Sequence, residues 1–402
     1  MLAYRALLTL AWPGFAILFA IRALRGQETW RDWAERLGFA GNGVPGGLWV
    51  HGASNGELAS ARPILAALTT RHPDLPLCIT CNTLTARDMV DGWALPRTTA
   101  RLAPLDTRWA ALDARAHLTL ESELWPNRIR RHPTIALGAR LTARTARGWS
   151  RIPGLAPAVF PRLRGVIPQD AASATRFADL GVPAADIAAP VQLKSLYLPP
   201  DRDLPPDLAA LPYARTWLAA STHAGEEDTV LDAHLARLSE DPDTVLILAP
   251  RHPARADEVA ALIAARGLAA HRRSTGATPP GTRLLLADTM GEMDLFYRAS
   301  HATFIGGTLT DRGGHTPFEP AAHGSAILHG PDTANFTDAF AALGPDAAIP
   351  VTDAASLAAG LARLSDPSAA TEQAARASQA LAATASADAV LTFLETRLGL
   401  ET

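Results

Sequence analysis

The chain has 402 residues, of which 48% are hydrophobic and 19% charged, with a formal net charge of −3. That length exceeds what one hydrophobic core usually serves, so two domains are expected in a folded, not disordered, protein. The charge balance gives no global footprint for nucleic-acid binding, and two cysteines cannot build a disulfide framework.

Residues 6–21 carry no charge and are bracketed by Arg5 and Arg22. Pro13-Gly14 interrupts the run, which is a little short of the roughly 20 residues that a perpendicular span needs. No small-residue cleavage site with a polar start follows it, which argues against a cleaved signal peptide. The segment reads as a membrane anchor, either spanning or lying flat, with a buried helix as the alternative. Arg22, Arg25, Arg31 and Arg36 follow closely, and this basic flank favours a cytoplasmic position for the remaining chain.

From residue 48 the pattern alternates. Apolar runs at 48–51, 77–81, 117–120, 134–137 and 164–167 predict strands, separated by helical stretches such as 56–70 and 170–180. A proline-rich segment at 198–206 reads as a linker. A second series follows at 216–220, 244–249, 283–287, 302–305, 326–328 and 347–351. Strands alternating with helices predict parallel sheets, so the expected class is α/β with two Rossmann-like domains facing across a cleft. The Ala-rich tail at 369–398 predicts helix. Cys78 and Cys81 share one predicted strand at an odd separation, so they point to opposite faces as core residues.

Several motifs carry no chemistry on this reading. Gly41–Gly46 matches G-x-G-x-x-G but precedes a strand instead of following one. Asp201–Asp203 and Asp241–Asp243 sit among prolines at turns, and the twelve histidines lack metal-ligand spacing, so no metal and no cofactor are expected. Arg-His-Pro occurs at 71–73, 131–133 and 251–253. The first two end helices. The third follows a strand at its carboxyl end, where Pro250 and Arg251 are placed to meet a phosphate or base.

Other motifs fall where α/β sheets bind ligands. His51-Gly-Ala-Ser-Asn-Gly-Glu57 puts a carboxylate just after a strand, where it answers a helix dipole or serves as general base. Glu121-Ser-Glu123-Leu-Trp-Pro-Asn127 follows another strand. Ser221-Thr-His223-Ala-Gly-Glu-Glu227 opens the second domain as a capped helix start, with Ser221 and His223 as candidate ligand contacts. Asp288-Thr-Met290-Gly291-Glu292 offers backbone amides to an anion. In Gly306-Gly307…Gly313-Gly-His315-Thr316-Pro317-Phe318-Glu319-Pro320, paired glycines admit a ligand to the backbone, Pro317 opens a helix, and Glu319 reaches ribose hydroxyls.

These motifs, with Ala139-Arg-Leu141 and Asn335-Phe336, occur in one order over nearly the whole chain. Together they resemble the 3-deoxy-D-manno-octulosonic acid (Kdo) transferase family of lipid A biosynthesis. The resemblance implies a GT-B type fold with an N-terminal hydrophobic anchor helix at 1–30. It implies an acceptor-binding domain at 31–197, a CMP-sugar-binding domain at 207–375, and a C-terminal helix at 376–402 packing back on the first domain. It implies transfer of Kdo from CMP-Kdo to the lipid A precursor (lipid IVA), without metal, at the cytoplasmic side of the inner membrane of a Gram-negative envelope. Glu57 stands at the family's general base. Glu121 and Lys194 match positions of transition-state stabilisation. Pro250-Arg251, Met290 to Glu292 and Thr316 to Glu319 match the CMP-binding stretches, with Gly307 and His315 as further candidate contacts. The alternatives are a related GT-B transferase with another acceptor or sugar, a sugar-nucleotide 2-epimerase, and a non-catalytic nucleotide-binding relative.

Overall fold

A computed structural model describes residues 1–402 except 42, 111, 198, 201, 383–385, 401 and 402. Leu198 and Asp201 of the expected linker and Asn42 of the discounted glycine motif thus lie outside the described residues. The chain forms two compact units, one of residues 1–196 and 385–402, the other of residues 197–384.

The first unit holds six strands: β1 (Gly43–His51), β2 (Leu77–Cys81), β3 (Thr98–Leu102), β4 (Asp113–Leu120), β5 (Thr134–Ala139) and β6 (Leu163–Pro168). All pair in parallel, in the order β3-β2-β1-β4-β5-β6. Every residue of β2 is buried, as expected for a strand covered on both faces. Cys81 packs in the cluster of Leu48 and Val50, whereas Cys78 packs with Val44, Trp49 and Leu112; both thiols are free. Strand β3 was not expected from the sequence. It is an edge strand reading Thr-Thr-Ala-Arg-Leu, with one buried residue, so it lacks the apolar run of a central strand.

Helix α1 (Leu2–Leu24) continues through Pro13 and is the one helix among the described residues that is long and apolar enough to cross a membrane. It also rests on its own unit. Tyr4 Oη donates to Asp106 at 2.8 Å, Arg5 Nε to Asn127 Oδ1 at 2.8 Å, and Trp33 Nε1 to the Ala16 carbonyl at 3.0 Å. Trp33 belongs to α2 (Trp30–Leu37), which Thr29 and Asp32 close with a reciprocal cap.

The second unit holds β7 (Thr216–Thr222), β8 (Val245–Pro250), β9 (His271–Arg272), β10 (Leu284–Leu286), β11 (Ala302–Ile305), β12 (Ala326–His329) and β13 (Ile349–Pro350). They form one parallel sheet ordered β13-β12-β11-β7-β8-β10-β9. The tail expected as a single helix forms two. Helix Pro367–Ala382 belongs to the second unit, where Gln373 exchanges two hydrogen bonds with the Ile327 backbone at 2.8 and 3.1 Å. Helix Ala387–Leu398 belongs to the first unit and adds Val390, Leu391 and Leu394 to its core. Arg71 and His72 hold that helix through Asp388 and Glu395 at 2.6 and 3.0 Å.

Strand order reverses between β1 and β4 in one sheet and between β7 and β11 in the other. The carboxyl ends of strands at such reversals leave a crevice that neighbouring loops do not fill, which is where α/β sheets take ligands.

Candidate functional site

In the first unit the sequence-predicted residues gather at the β1/β4 reversal. Helix α3 (Asn55–Arg71) begins after three residues that follow β1, and Ser54 caps it by accepting from the Glu57 amide. The Glu57 carboxylate folds back to accept from Ala53 N at 2.8 Å and Ser54 Oγ at 3.1 Å. Burial pushes its pKa up to about 7; the Ala53 amide opposes this, and the charges of Glu121 and Glu123 add to it. A carboxylate poised there is half ionised at neutral pH, as a general base should be.

Glu121 follows β4 with φ of +46°, a left-handed conformation rare outside glycine. Burial raises its pKa, while Lys194 and Arg140 pull it down. Lys194 lies on the short 3₁₀ turn Leu193–Leu196. Gly138 has φ of +59°, and a Cβ there would stand 2.6 Å from Leu193 Cδ1, so this turn seats directly on β5. Glu123 has a different task from its neighbour. Despite burial, its hydrogen bonds to His51 (3.1 Å) and Trp125 (2.8 Å) hold it below the usual carboxylate range. His51 is fully buried, and burial, then Arg128, push its pKa down to about 4. The neutral His51 ring is held on both sides, with Nε2 3.1 Å from the Glu123 carboxylate and Nδ1 3.0 Å from the Thr80 carbonyl and hydroxyl oxygens.

In the second unit the predicted residues gather at the β7/β11 reversal. Ser221 sits at a register shift in β7 with φ of +57°. Gly306 follows β11 beside it; a Cβ there would lie 2.4 Å from the Ser221 carbonyl, so only glycine fits. Glu226, which falls in the first turn of that capped helix start, is fully buried and ties the loops together. It accepts from His223 N (2.9 Å), Gly307 N (2.7 Å) and Leu309 N (2.9 Å). Glu227 is also fully buried, bonded to Thr222 at 3.0 Å and paired with Arg255 at 2.7 Å.

His223 and His315 stack with ring planes 2° apart and their Nε2 atoms 2.8 Å apart. Burial lowers the pKa of His223; Glu226 opposes this, and Arg312, His252 and Arg251 reinforce it. Arg251 is exposed, its backbone amide donates to the Thr222 carbonyl at 2.9 Å, and no described carboxylate lies within ion-pair distance of it. Pro250 is buried beneath it. The site thus concentrates positive potential beside glycine backbone, an arrangement suited to an anion.

Met290 is 72% exposed and Gly291 is exposed with φ of +79°, so backbone there is open to a ligand. The Glu292 carboxylate is engaged: hydrogen bonds from Arg273 and Thr289 hold it low against burial. Pro317, expected in the first turn of a helix, stands at the cap position, and the helix runs Phe318–Ala322. Thr316 Oγ1 accepts from Phe318 N at 3.3 Å, and the Phe318 side chain is buried. Glu319 lies in the first turn, and its carboxylate takes the hydrogen bond of the buried Tyr297 hydroxyl. Arg255, Arg273 and Glu226 were not singled out by sequence reasoning, because their partners lie on other loops. Among the described residues no three His, Cys, Asp or Glu side chains group as a metal site would need.

Residues 31–196 match the family profile described as 3-deoxy-D-manno-octulosonic-acid transferase (kdotransferase). The chain is 31% identical over 360 residues to a 3-deoxy-D-manno-octulosonic acid transferase of Haemophilus influenzae, covering 84% of this chain and 83% of that one. It is 33% identical over 379 residues to a relative of the same name from Bordetella pertussis, covering 83% and 85%. Among solved structures, it is similar to a putative UDP-N-acetylglucosamine 2-epimerase of Listeria monocytogenes, with a TM-score of 0.60, 14% identity and coverage of 89% and 98%. That last likeness is one of fold alone.

Proposed function

The chain belongs to the 3-deoxy-D-manno-octulosonic acid transferase family, and on that premise we propose that it moves Kdo from CMP-Kdo to a hydroxyl of the lipid A precursor. The fold is of the GT-B type, two parallel Rossmann-like sheets. The observation that carries the mechanism is the Glu57 carboxylate, held at about 7 beside Glu121 and Glu123 at the β1/β4 reversal.

In this reading Glu57 takes the proton from the acceptor hydroxyl as the new C–O bond forms at the anomeric carbon. The bond from that carbon to the CMP phosphate breaks, and the phosphate leaves with the electron pair. Positive charge develops on the sugar and negative charge on the leaving group. Glu121 and Lys194 are assigned to stabilising the transition state as these charges develop. The second unit takes the nucleotide: Arg251 pairs with the phosphate, backbone of Met290 to Glu292 and Thr316 to Phe318 supplies donors, and Glu319 receives ribose hydroxyls. Gly307, Ser221, His223 and His315 line the same loops. A single departing phosphate can be answered by the Arg251 guanidinium and backbone donors of the second unit, so in this reading the chemistry asks for no metal.

Helix α1 supports membrane association, since its outward side chains are apolar and it is followed by arginines. We place the protein at the cytoplasmic side of the inner membrane, where the lipid acceptor lies.

The test is transfer from CMP-Kdo to the tetraacyl precursor, read by product mass, for the wild type and Glu57→Gln. The variant is expected to lose transfer and keep CMP binding. Retained transfer, or lost CMP affinity, would remove Glu57 from the role of base.

A further inference from the structure

The first unit contains a second cationic site that the transfer mechanism does not use. Helix Pro126–Arg131, Trp49 and the start of α1 enclose a cavity of about 310 Å³. Five arginines line it (Arg5, Arg108, Arg128, Arg130 and Arg131), and no described Asp or Glu does. Arg128 is only 4% exposed. Its guanidinium lies 4.9 Å over the Trp49 ring and Nη2 donates to the Pro104 carbonyl at 2.7 Å, but Nε and Nη1 have no hydrogen-bond acceptor.

The carboxylate beside it is committed elsewhere. Asp106 stands 4.0 Å from Nε and already accepts from Tyr4 Oη, Asn127 N and Arg128 N at 2.8 to 2.9 Å. Burial pushes Arg128 down to about 10, against the opposing charges of Asp106 and Glu123. Arg130 is lowered by burial and then by repulsion from Arg162 and Arg5, which are cations themselves. Buried guanidinium groups cost several kcal/mol unless an anion answers them, and the planar fork of arginine matches phosphate oxygens.

The position of the cavity narrows its ligand. Arg5 belongs to α1, whose neighbouring side chains Leu2, Leu7 and Leu10 are 85%, 66% and 81% exposed. With those side chains in the acyl region, an arginine pocket at the foot of the helix sits at headgroup depth. We propose that this pocket binds a phosphate group, supplied by a lipid headgroup at the membrane surface. The inference rests on the membrane reading of α1 and not on the role of Glu57, so a binding test separates the two.

Full-length protein in detergent is titrated with phosphatidic acid or with diacylglycerol, which lacks the phosphate, and bound lipid is read by native mass spectrometry. In parallel, thermal unfolding is followed with inorganic phosphate. The variant is Arg108→Gln with Arg131→Gln, two exposed side chains whose loss leaves the core intact. The control is Arg144→Gln with Arg147→Gln, exposed arginines outside the cavity. The wild type and the control are expected to retain phosphatidic acid over diacylglycerol by about tenfold, and the cavity variant to lose that preference, as for losing charged hydrogen bonds. If only inorganic phosphate binds, and only in proteins with the cavity intact, the phosphate site stands and its source is a soluble compound. Equal binding by the cavity variant and the wild type, equal loss in the control, or no binding of either probe overturns the proposal.

Discussion

The raised pKa of Glu57 has a measurable cost. Ionising in the folded protein at about 7 and at the ordinary 4.5 when unfolded, the carboxyl carries a cost of about 3.4 kcal/mol at 1.36 kcal/mol per pH unit. Partial exposure screens this, and an expected cost of about 1–2 kcal/mol remains. The sign follows from linkage. Below the unfolded pKa both states are protonated and there is no cost. As pH rises towards 7 the unfolded state ionises first and stability falls; above 7 the full cost persists. Glu57→Gln removes the charge and keeps a side-chain acceptor for the Ala53 amide. In denaturant titrations of the first unit's transition, the variant is expected to match or fall below the wild type at pH 5 and exceed it at pH 8. Activity moves the opposite way: wild-type kcat/KM should fall about tenfold per pH unit below 7 as the base protonates. A stability difference independent of pH, together with a flat rate profile between pH 5.5 and 7.5, would refute both the charge cluster and the base.

Arg251→Ala should weaken CMP binding by about 1–3 kcal/mol, the loss of a charged hydrogen bond, with unfolding unchanged because the side chain is exposed; calorimetric titration with CMP decides it, and unaltered affinity would make this Arg-His-Pro structural like the other two. Arg255→Ala leaves the fully buried Glu227 without its partner and should destabilise the second unit by about 3–5 kcal/mol. Pairing it with Glu227→Gln should recover most of that loss in thermal melts, and failure of the rescue would point to lost packing instead. Gly138→Ala drives a Cβ to within 2.6 Å of Leu193 and strains a left-handed backbone, for a cost of about 1–3 kcal/mol. It should lower kcat through displaced Lys194 while CMP affinity holds; unchanged turnover would separate Lys194 from catalysis.

Local order in the sequence determined most of the framework. Central parallel strands are buried on both faces, so β1, β2, β4, β5, β7, β8 and β11 show as apolar runs, and the turn residues between them mark the helices. Edge strands β3 and β9 are half exposed, so their residues carry no such run. The Ser54 cap that presents Glu57 is equally local, as are the glycines after β11. Tertiary structure alone decided the electrostatics. Glu57 is raised first by burial and then by Glu121 and Glu123, which the β1/β4 pairing brings beside it, and adjacent Glu121 and Glu123 part company because only the second reaches His51 and Trp125. Glu226 looked like a helix-start acid and instead holds the glycine loop from across the β7/β11 reversal. Arg128 sits in a stretch that reads as a helix end, yet folding buries it beside an arginine-lined cavity with two nitrogens lacking a hydrogen-bond acceptor. Propensity and patterning depend on neighbours along the chain, whereas desolvation and charge depend on neighbours in space, and those exist only once the sheets have assembled.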